Sequence, residues 1–351
     1  MPPRAVIHID IDAFFTAVEV KKNPAYRGQP VIVGGNGDPA SRGVVSAASY
    51  EARAYGVASG MPLKKAYRLC PGAVFLPVDF DAYEKESERF MEMLRRYSPL
   101  VESFGLDEAF IEVPPSPGAD PLDGPVRIAR EIKSLIKSEL GLTVSAGIAP
   151  NKLLAKMACE LGKPDGFFTI HEKEVERLFN EMPARRLCGV GAKTEARLKD
   201  LGIRTIGELA RTHVEYLERQ FGPNIGRTLH EHARGVDASP VVPFHEPESM
   251  SREVTFEADS RDMHFIRETL FALTEDVAAR LKAAGTAAST VAIKVRYRDF
   301  ETITRSAPLD EATDSLNDVW ALVLRLLEAV DLPKAVRLVG VKVSGLTRRV
   351  R

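Results

Sequence analysis

The sequence predicts an α+β protein of several domains, and three observations support this. Its 351 residues exceed what one ordinary hydrophobic core accommodates. Strand and helix patterns interleave up to about residue 170, whereas residues 171–233 have the pattern of short helices only. After a proline-rich stretch at 234–248, the last hundred residues follow the order strand, helix, strand, strand, helix, strand.

The N-terminal half begins with the strand pattern AVIHIDID. Its isoleucines point one way, and His8, Asp10 and Asp12 point the other. A short helix follows and stops near Pro24. Further on, LVESFGLDEAFIEV predicts two strands joined near Gly105, which is a hairpin. The remaining patterns predict strands in QPVIVGG and LTVSAGIA, a strand running into a helix in RGVVSAASYEARAYG, and helices in FDAYEKESERFMEMLRRYSP, GPVRIAREIKSLIKSELG and NKLLAKMACELGKPDG.

The C-terminal segment predicts a small sheet with both helices on one face. In VAIKVRYR the apolar side chains alternate with Lys294, Arg296 and Arg298. The two helices must cover the apolar face, so we expect the basic face to point outward. Lys342 occupies a similar position in GVKVSG.

Composition limits the possible partners. The net charge is −1, from 48 basic and 49 acidic side chains, so any nucleic acid must be held by local basic patches. Cys70, Cys159 and Cys188 lie far apart without CxxC spacing, which argues against a zinc site or disulfide framework and favours a reducing cytosol. No apolar run approaches the length of a membrane span. We therefore expect a soluble, cytoplasmic protein.

The stretch GLDEAFIEV places two carboxylates side by side at the start of an apolar strand. In a straight strand Asp107 and Glu108 would face opposite ways, so a shared site requires a turn or a twisted strand end, which Gly105 permits. If that strand pairs with the one ending near Asp10, three carboxylates gather at one rim. Such a cluster raises its own pKa values unless cations intervene, and Mg²⁺ prefers oxygen ligands. Two ions about 3.5–4 Å apart would support in-line phosphoryl displacement.

The residues alone leave simpler roles open for these acids. Adjacent acids at a strand end are often merely solvated. Asp12 could be the metal ligand in place of Asp10, or it could be the N-cap of the helix that follows.

Five stretches together resemble the Y-family DNA polymerases, most closely the translesion enzymes of the DinB type. They are HIDIDAFFTAVE (8–19), SYEARAYGVASGMPL (49–63), FGLDEAFIEV (104–113), SAGIAPNKLLAKMACELGKPDG (145–166) and LCGVGAKTEARLKDLGI (187–203). They occur in the order and spacing of the family and span nearly the whole chain. The resemblance implies a low-fidelity, template-directed DNA polymerase that acts on primer–template DNA and dNTPs as a monomer.

The resemblance also implies an architecture. It predicts a palm with a ferredoxin-like mixed sheet, small fingers, a helical thumb with a helix-hairpin-helix, and a βαββαβ little finger. The boundaries we predict are 1–10 and 77–166 for the palm, 11–76 for the fingers, 167–233 for the thumb, 234–248 for a linker and 249–351 for the little finger.

Site residues are implied in the same way. Asp10, Asp107 and Glu108, with the carbonyl of Ile11, match the family's ligands for two Mg²⁺ ions, for which Mn²⁺ can substitute. The predicted nucleotide-binding positions are Phe14, Phe15 as the steric gate against a ribose 2′-hydroxyl, Tyr50, Arg53 and Lys163. The predicted DNA contacts are Gly189, Gly191 and Lys193 in the helix-hairpin-helix, and Lys294, Arg296, Arg298 and Lys342 in the little finger.

Each of these residues could also have an ordinary structural role. Phe15 could be a core aromatic, Tyr50 could simply pack, Arg53 could pair with Glu51, and the GVG run could be only a tight turn. The basic strand could be a solvated face.

The sequence departs from the family pattern in three places. Gly105 stands where many members have Ser, and Ala13 stands where some have an aromatic. The chain ends SGLTRRVR, without a recognisable sliding-clamp peptide, so either clamp binding is weak or the natural chain continues.

Two rival functions remain open. One is a nucleotidyl or diguanylate cyclase with a similar palm, which would need neither the 171–203 helical segment nor the basic C-terminal sheet. The other is a catalytically inactive DNA-binding module.

Overall fold

The computed structural model describes residues 5–114 and 121–348, which form two compact units. The first unit holds the chain up to Pro39 and from Gly43 to Phe244. The second holds Ala40–Arg42 and the chain from His245 onward. The division at Phe244 falls inside the predicted linker.

The first unit contains eight strands and eleven α-helices among its described residues. The strands are β1 (Ala5–Ile11), β2 (Val31–Val33), β3 (Ala47–Ala48), β4 (Val74–Leu76), β5 (Val101–Ser103), β6 (Glu108–Val113), β7 (Val144–Ala149) and β8 (Phe167–Thr169). The helices are α1 (Phe14–Lys22), α2 (Tyr50–Arg53), α3 (Leu63–Leu69), α4 (Phe80–Arg95), α5 (Asp123–Leu140), α6 (Lys152–Gly162), α7 (Val175–Asn180), α8 (Ala192–Asp200), α9 (Ile206–Arg211), α10 (Val214–Phe221) and α11 (Pro223–Ala233).

Five strands of this unit form a mixed sheet in the order β5-β6-β1-β7-β8. All neighbours are antiparallel except β7 and β8. The hairpin predicted around Gly105 and the pairing of its second strand with the N-terminal strand are both confirmed. Because β8 belongs to the sheet, the sheet continues past residue 166, where we predicted the palm to end.

The central strand β1 is buried on both faces, as its composition requires. Its isoleucines join the core formed with α4 and α5, whereas Val6 joins the core formed with α6. The sheet and α6 approach closely at Gly147, where a Cβ atom would lie 2.0 Å from the carbonyl oxygen of Ala155. Glycine is therefore required at that position by the packing.

A second, smaller sheet in the order β3-β2-β4 carries the segment predicted as fingers. The strand and helix expected in RGVVSAASYEARAYG exist, but they are only two and four residues long. Ser49 caps the helix by accepting from the N–H of Ala52.

The predicted linker is anchored over much of its length. The buried carboxylate of Glu102 accepts from Lys152 Nζ at 2.7 and 2.8 Å and from the N–H of Val242 at 2.9 Å. Asp237 accepts from the N–H of Leu153 at 3.0 Å. These contacts attach the linker to the first unit as far as Val242.

The second unit confirms the predicted βαββαβ order. Its elements are β9 (Ser249–Ser260), α12 (Met263–Ala283), β10 (Thr286–Tyr297), β11 (Thr302–Thr313), α13 (Leu316–Glu328) and β12 (Val336–Arg348). The strands form one antiparallel sheet in the order β11-β10-β12-β9. Its apolar face packs against both helices, which leaves the other face open.

The described residues contain no helix with the length and apolar character needed to cross a membrane. Cys70 and Cys159 are buried free thiols, and Cys188 is a partly exposed one.

Candidate active site at the rim of the five-stranded sheet

Three acids lie together at one end of the central strands. Asp10 and Glu108 are directly opposite each other on β1 and β6. Asp107 precedes β6 in the hairpin turn, and its carbonyl accepts from the N–H of Ile11 at 2.8 Å. Gly105 adopts a φ of +92°, which glycine tolerates and which lets the turn bring both adjacent acids to the rim. The convergence expected from the sequence is confirmed at the level of strand register.

Asp12 has a different role from Asp10. Its carboxylate accepts from Ser145 Oγ at 2.8 Å, the N–H of Asp165 at 2.9 Å and the Tyr50 hydroxyl at 3.3 Å. Helix α1 has Ala13 at its N-cap, with no side-chain cap. Asp12 is thus a buried hydrogen-bond acceptor that ties the strand end to the 163–166 turn. It does not cap the helix, and its oxygens already have donors.

The carboxylates at the rim are close to one another and partly buried, which is unfavourable for their charged forms. Burial raises the pKa of Asp10 to about 7, although Lys163 opposes the shift. Burial and the neighbouring Glu108 raise the pKa of Asp107. Glu108 shows the opposite balance: burial would raise its pKa, but contacts from His8 and Lys156 lower it to about 2. Partly buried carboxylates this close together require compensating positive charge.

Two lysines supply that charge. Lys163 Nζ donates to Asp10 Oδ2 at 2.8 Å and to Glu160 Oε1 at 2.6 Å, and Lys156 Nζ donates to Glu108 Oε2. Burial alone would lower the pKa of Lys163, but Asp10 and Glu160 outweigh burial and raise it. Within residues 5–114 and 121–348, no three acidic, histidine or cysteine side chains are arranged to hold a metal ion. The two ammonium groups therefore offset part of the negative charge of Asp10 and Glu108.

The donor set nevertheless fits a hard divalent cation. Each acid offers carboxylate oxygens, and the charges of Asp107 and Glu108 both contribute to the raised pKa of Asp10. A cation at the rim would relieve this mutual repulsion, and oxygen-only ligation suits Mg²⁺ or Mn²⁺.

Phe15 lies in the first turn of α1, and its ring packs against α4. Its ring stacks on Tyr83 at 4.1 Å with an interplanar angle of 10°. Tyr83 is fully buried and donates to Glu19 Oε1 at 2.9 Å, which fixes the stack. The Phe14 side chain is a different case, because it is only 3% exposed and lies in the hydrophobic core. If Phe14 contacts a nucleotide as predicted, the buried position of its ring leaves the backbone for that contact.

Tyr50 and Arg53 share one face of the short helix α2, as their spacing predicted. The Arg53 guanidinium lies 4.7 Å from the Tyr50 ring centroid, and its Nε donates to the Ala48 carbonyl at 3.0 Å. Burial, followed by the charge of Asp12, raises the pKa of Tyr50 to about 12. The Tyr50 hydroxyl thus remains protonated, and it shares its acceptor Asp12 with the N–H of Asp165.

The predicted helix-hairpin-helix residues begin a helix as expected. Gly189 has a φ of +90°, Gly191 is the N-cap of α8, and Lys193 is exposed in the first turn of that helix. The exposed end of α8 therefore presents first-turn N–H groups, which have no partner within the helix, together with a cation.

The predicted basic residues of the second unit lie on its open face. Lys294 and Arg296 alternate with the buried residues of β10, Arg298 is exposed directly after the strand ends at Tyr297, and Lys342 is exposed on β12. The face also carries acids, since Lys294 Nζ donates to Glu253 Oε2 at 2.7 Å.

Two residues beside the acids were not identified from the sequence. His8 is fully buried, and its Nε2 lies 3.0 Å from Glu108 Oε2. Lys156 contacts the same oxygen. The sequence does contain patterns that could have identified them. His8 shares a strand face with Asp10. Lys156 lies one helical turn from Lys152 and two from Lys163, so the three lysines share one side of a helix. Burial lowers the pKa of His8, so the imidazole is neutral in the absence of other changes.

Comparison with known proteins gives concordant results along the chain. A family model described as the impB/mucB/samB family matches residues 9–160, and the model of its C-terminal domain matches residues 247–350. A model described as the DNA polymerase-iota thumb domain matches residues 185–237.

Full-length relatives and a solved structure agree with these models. A protein named DNA polymerase IV from Alkalilimnicola ehrlichii is 43% identical over 349 residues, covering 99% of this chain and 96% of the relative. A protein of the same name from Methanoculleus marisnigri is 41% identical over 346 residues, covering 98% of this chain and 94% of the relative. A Y-family DNA polymerase chimera of Dbh and Dpo4 matches with a TM-score of 0.88 and 27% identity, covering 98% of this chain and all of the chimera.

Proposed function

This chain belongs to the impB/mucB/samB family of Y-family DNA polymerases, and from that membership we propose how its rim carries out nucleotide transfer. It is a DNA-directed DNA polymerase of the translesion type. A cyclase would not need the segments that match the thumb and C-terminal domain models. An inactive DNA-binding module would not need three acids at one end of the sheet. The observation that carries the proposal is the pairing of Asp10 with Glu108 across β1 and β6, with Asp107 at the adjacent turn.

We propose that Asp10, Asp107, Glu108 and the Ile11 carbonyl hold two Mg²⁺ ions, with Mn²⁺ able to substitute. When bound, these ions lower the pKa of the primer 3′-hydroxyl and stabilise the charge that develops on the α-phosphate and the leaving pyrophosphate. The side chains do the positioning. Their partial burial, which makes them repel one another in the absence of cations, strengthens their attraction for one.

Lys163, Tyr50 and Arg53 are the proposed triphosphate contacts. Lys163 already neutralises Asp10, so on substrate binding its ammonium would turn from that carboxylate to a phosphate oxygen. The protonated Tyr50 hydroxyl and the exposed Arg53 guanidinium provide donors of the kind a triphosphate accepts.

Phe15 is the proposed sugar gate. Its ring is backed by the buried Tyr83, so it cannot retreat from an added 2′-hydroxyl. The small sheet β3-β2-β4 supplies little surface for checking base-pair shape, which agrees with low fidelity.

DNA contacts are proposed on both units. Gly189, Gly191 and Lys193 would bind a backbone phosphate through N–H groups and an ammonium. Lys294, Arg296, Arg298 and Lys342 would bind phosphates from the open sheet face. We further propose that the chain acts in the cytoplasm as a monomer.

A primer-extension assay tests this function. Each dNTP and NTP is offered singly on an undamaged and an abasic template, with Mg²⁺, with Mn²⁺ and with a chelator. We expect template-directed extension by dNTPs that continues past the abasic site and stops with the chelator. Extension that persists without divalent metal, or a cyclic product from GTP or ATP alone, would contradict the proposal.

A further inference from the structure

A buried imidazole lies directly behind the acidic rim. His8 occupies the middle of β1, opposite Phe110 on β6 and Gly147 on β7. Its ring packs against Phe110 with centroids 4.7 Å apart, and α6 covers the same face of the sheet. A ring enclosed in this way has little room to move.

The polar environment of that ring is sparse. Its Nε2 lies 3.0 Å from the acceptor Glu108 Oε2, and within the described chain neither ring nitrogen makes a hydrogen bond of good geometry. A buried nitrogen without an alternative partner is costly, so the approach to Glu108 is its one source of compensation. Nε2 can carry a hydrogen in the neutral and in the charged ring, so the contact does not depend on protonation of His8.

The two oxygens of Glu108 are not equivalent. Oε2 receives Lys156 Nζ and faces His8 Nε2, whereas no hydrogen bond reaches Oε1 from any described residue. The two donors also differ in freedom. The Lys156 side chain is 23% exposed and long enough to swing away, whereas that of His8 is 0% exposed.

We propose that His8 is a positioning residue that holds Oε2 of Glu108, so that Oε1 is the oxygen presented to the metal. Resting on the proposed function, this inference makes Glu108 a one-oxygen ligand. Lys156 can leave when cations and nucleotide arrive, but His8 cannot. Groups that orient a ligand from behind typically change metal affinity or activity by about 10- to 100-fold when lost.

Three substitutions test the proposal. His8→Leu keeps an apolar side chain in the space but removes the donor. His8→Gln keeps an N–H at about the reach of Nε2. His8→Asn keeps an N–H that is too short to reach Glu108. The control Ile7→Val alters the opposite face of the same buried strand.

The first measurement is binding, not turnover. Mn²⁺ is titrated, with electron paramagnetic resonance detection, into the full chain on a dideoxy-terminated primer–template with the next dNTP. We expect about tenfold weaker Mn²⁺ binding in His8→Leu and His8→Asn, and binding within about threefold of wild type in His8→Gln and Ile7→Val. In extension assays kcat should fall for Leu and Asn with little change in KM for dNTP.

The outcomes separate the two claims. If wild type binds no Mn²⁺ under these conditions, the proposed metal site fails. If wild type binds and the folded His8→Leu and His8→Asn chains bind equally well, the positioning role alone is overturned. Should His8→Leu not fold, the comparison of His8→Asn with His8→Gln decides, and equal affinities of these two also overturn it.

Discussion

The two large sheets of this molecule place their functional side chains in opposite ways. The five-stranded sheet is covered by helices on both faces, so its acids lie at the rim, where strands end. The four-stranded sheet is covered on one face only, so its basic side chains can project from the open face along the length of a strand as well as at its end. A rim concentrates chemistry in a few buried groups, whereas an open face spreads binding over many exposed ones. Single substitutions should therefore act strongly at the rim and weakly on the face.

The largest effect is expected at the rim itself. Asp107→Ala should reduce nucleotide incorporation by about 10³-fold or more, because it removes a ligand for the ions that stabilise the transition state. Primer–template affinity should change by less than about threefold. Single-turnover extension and fluorescence anisotropy measure the two. Glu112→Ala, on the strand that Asp107 precedes but away from the rim, is the control and should stay active.

The same substitution should not cost stability in the absence of metal. The pKa of Asp107 is raised by burial and by Glu108, so at neutral pH its ionised form is less favourable in the folded than in the unfolded state. Removing it should leave the melting temperature without metal unchanged or higher. A clear decrease would mean that Asp107 supports the fold, and would weaken the comparison between rim and face.

The next largest effect concerns stability, and it follows from the different helix coverage of the two sheets. One glycine on each sheet tests it. At Gly147 a Cβ would lie 2.0 Å from the Ala155 carbonyl oxygen and 2.2 Å from the Cys159 nitrogen, so α6 must move. At Gly340, on the open face, the closest atom would be Glu253 Cβ at 2.9 Å on the edge strand β9. We expect Gly147→Ala to cost about 3 kcal/mol or more and Gly340→Ala about 1 kcal/mol. Calorimetric melting of both variants measures this, and equal losses would refute the difference in coverage.

The gate residue should give a selective effect of intermediate size. Phe15→Ala should raise ribonucleotide relative to deoxyribonucleotide incorporation by about 10- to 100-fold, because the supported ring is removed. The ratio of kcat/KM for matched NTP and dNTP measures this. Phe14→Leu, a change in the neighbouring core, should leave the ratio unchanged. An unaltered ratio in Phe15→Ala would make Phe15 a core residue only.

The sequence predicted the fold and most of the rim for identifiable physical reasons. Alternation in AVIHIDID and the glycine at 105 determine a strand and a turn, and the paired register then brings Asp10 opposite Glu108. The βαββαβ unit followed from apolar periodicity in the same way. These features depend on local pattern, which a single chain records.

Contacts across elements were not predictable to the same degree. The lysines on Asp10 and Glu108, the hydrogen bonds of Asp12 and the burial of the Phe14 ring each depend on how α1 and α6 pack against the sheet. The anchoring of the linker through Glu102 and Val242 is also long-range, since 140 positions separate the partners. Periodicity does not encode which side chain meets which across such distances.

The smallest single effects are expected on the open face, and they sharpen the comparison most because they should accumulate. Replacing Lys294, Arg296 and Arg298 together by Ala should weaken primer–template binding about tenfold near 0.1 M salt and make log Kd less steep in log salt by about 2–3. Each single replacement should contribute only about a third of that free energy, and Lys294→Ala the least, because Glu253 already neutralises it. Fluorescence anisotropy at several salt concentrations measures both quantities.

The matched control removes three exposed cations, Arg267, Arg280 and Lys282, from α12 on the helical side of the same unit. If that control flattens the salt dependence equally, net charge alone explains the effect. If it does not, binding depends on where the charges lie, and the face open to solvent is the one that faces DNA.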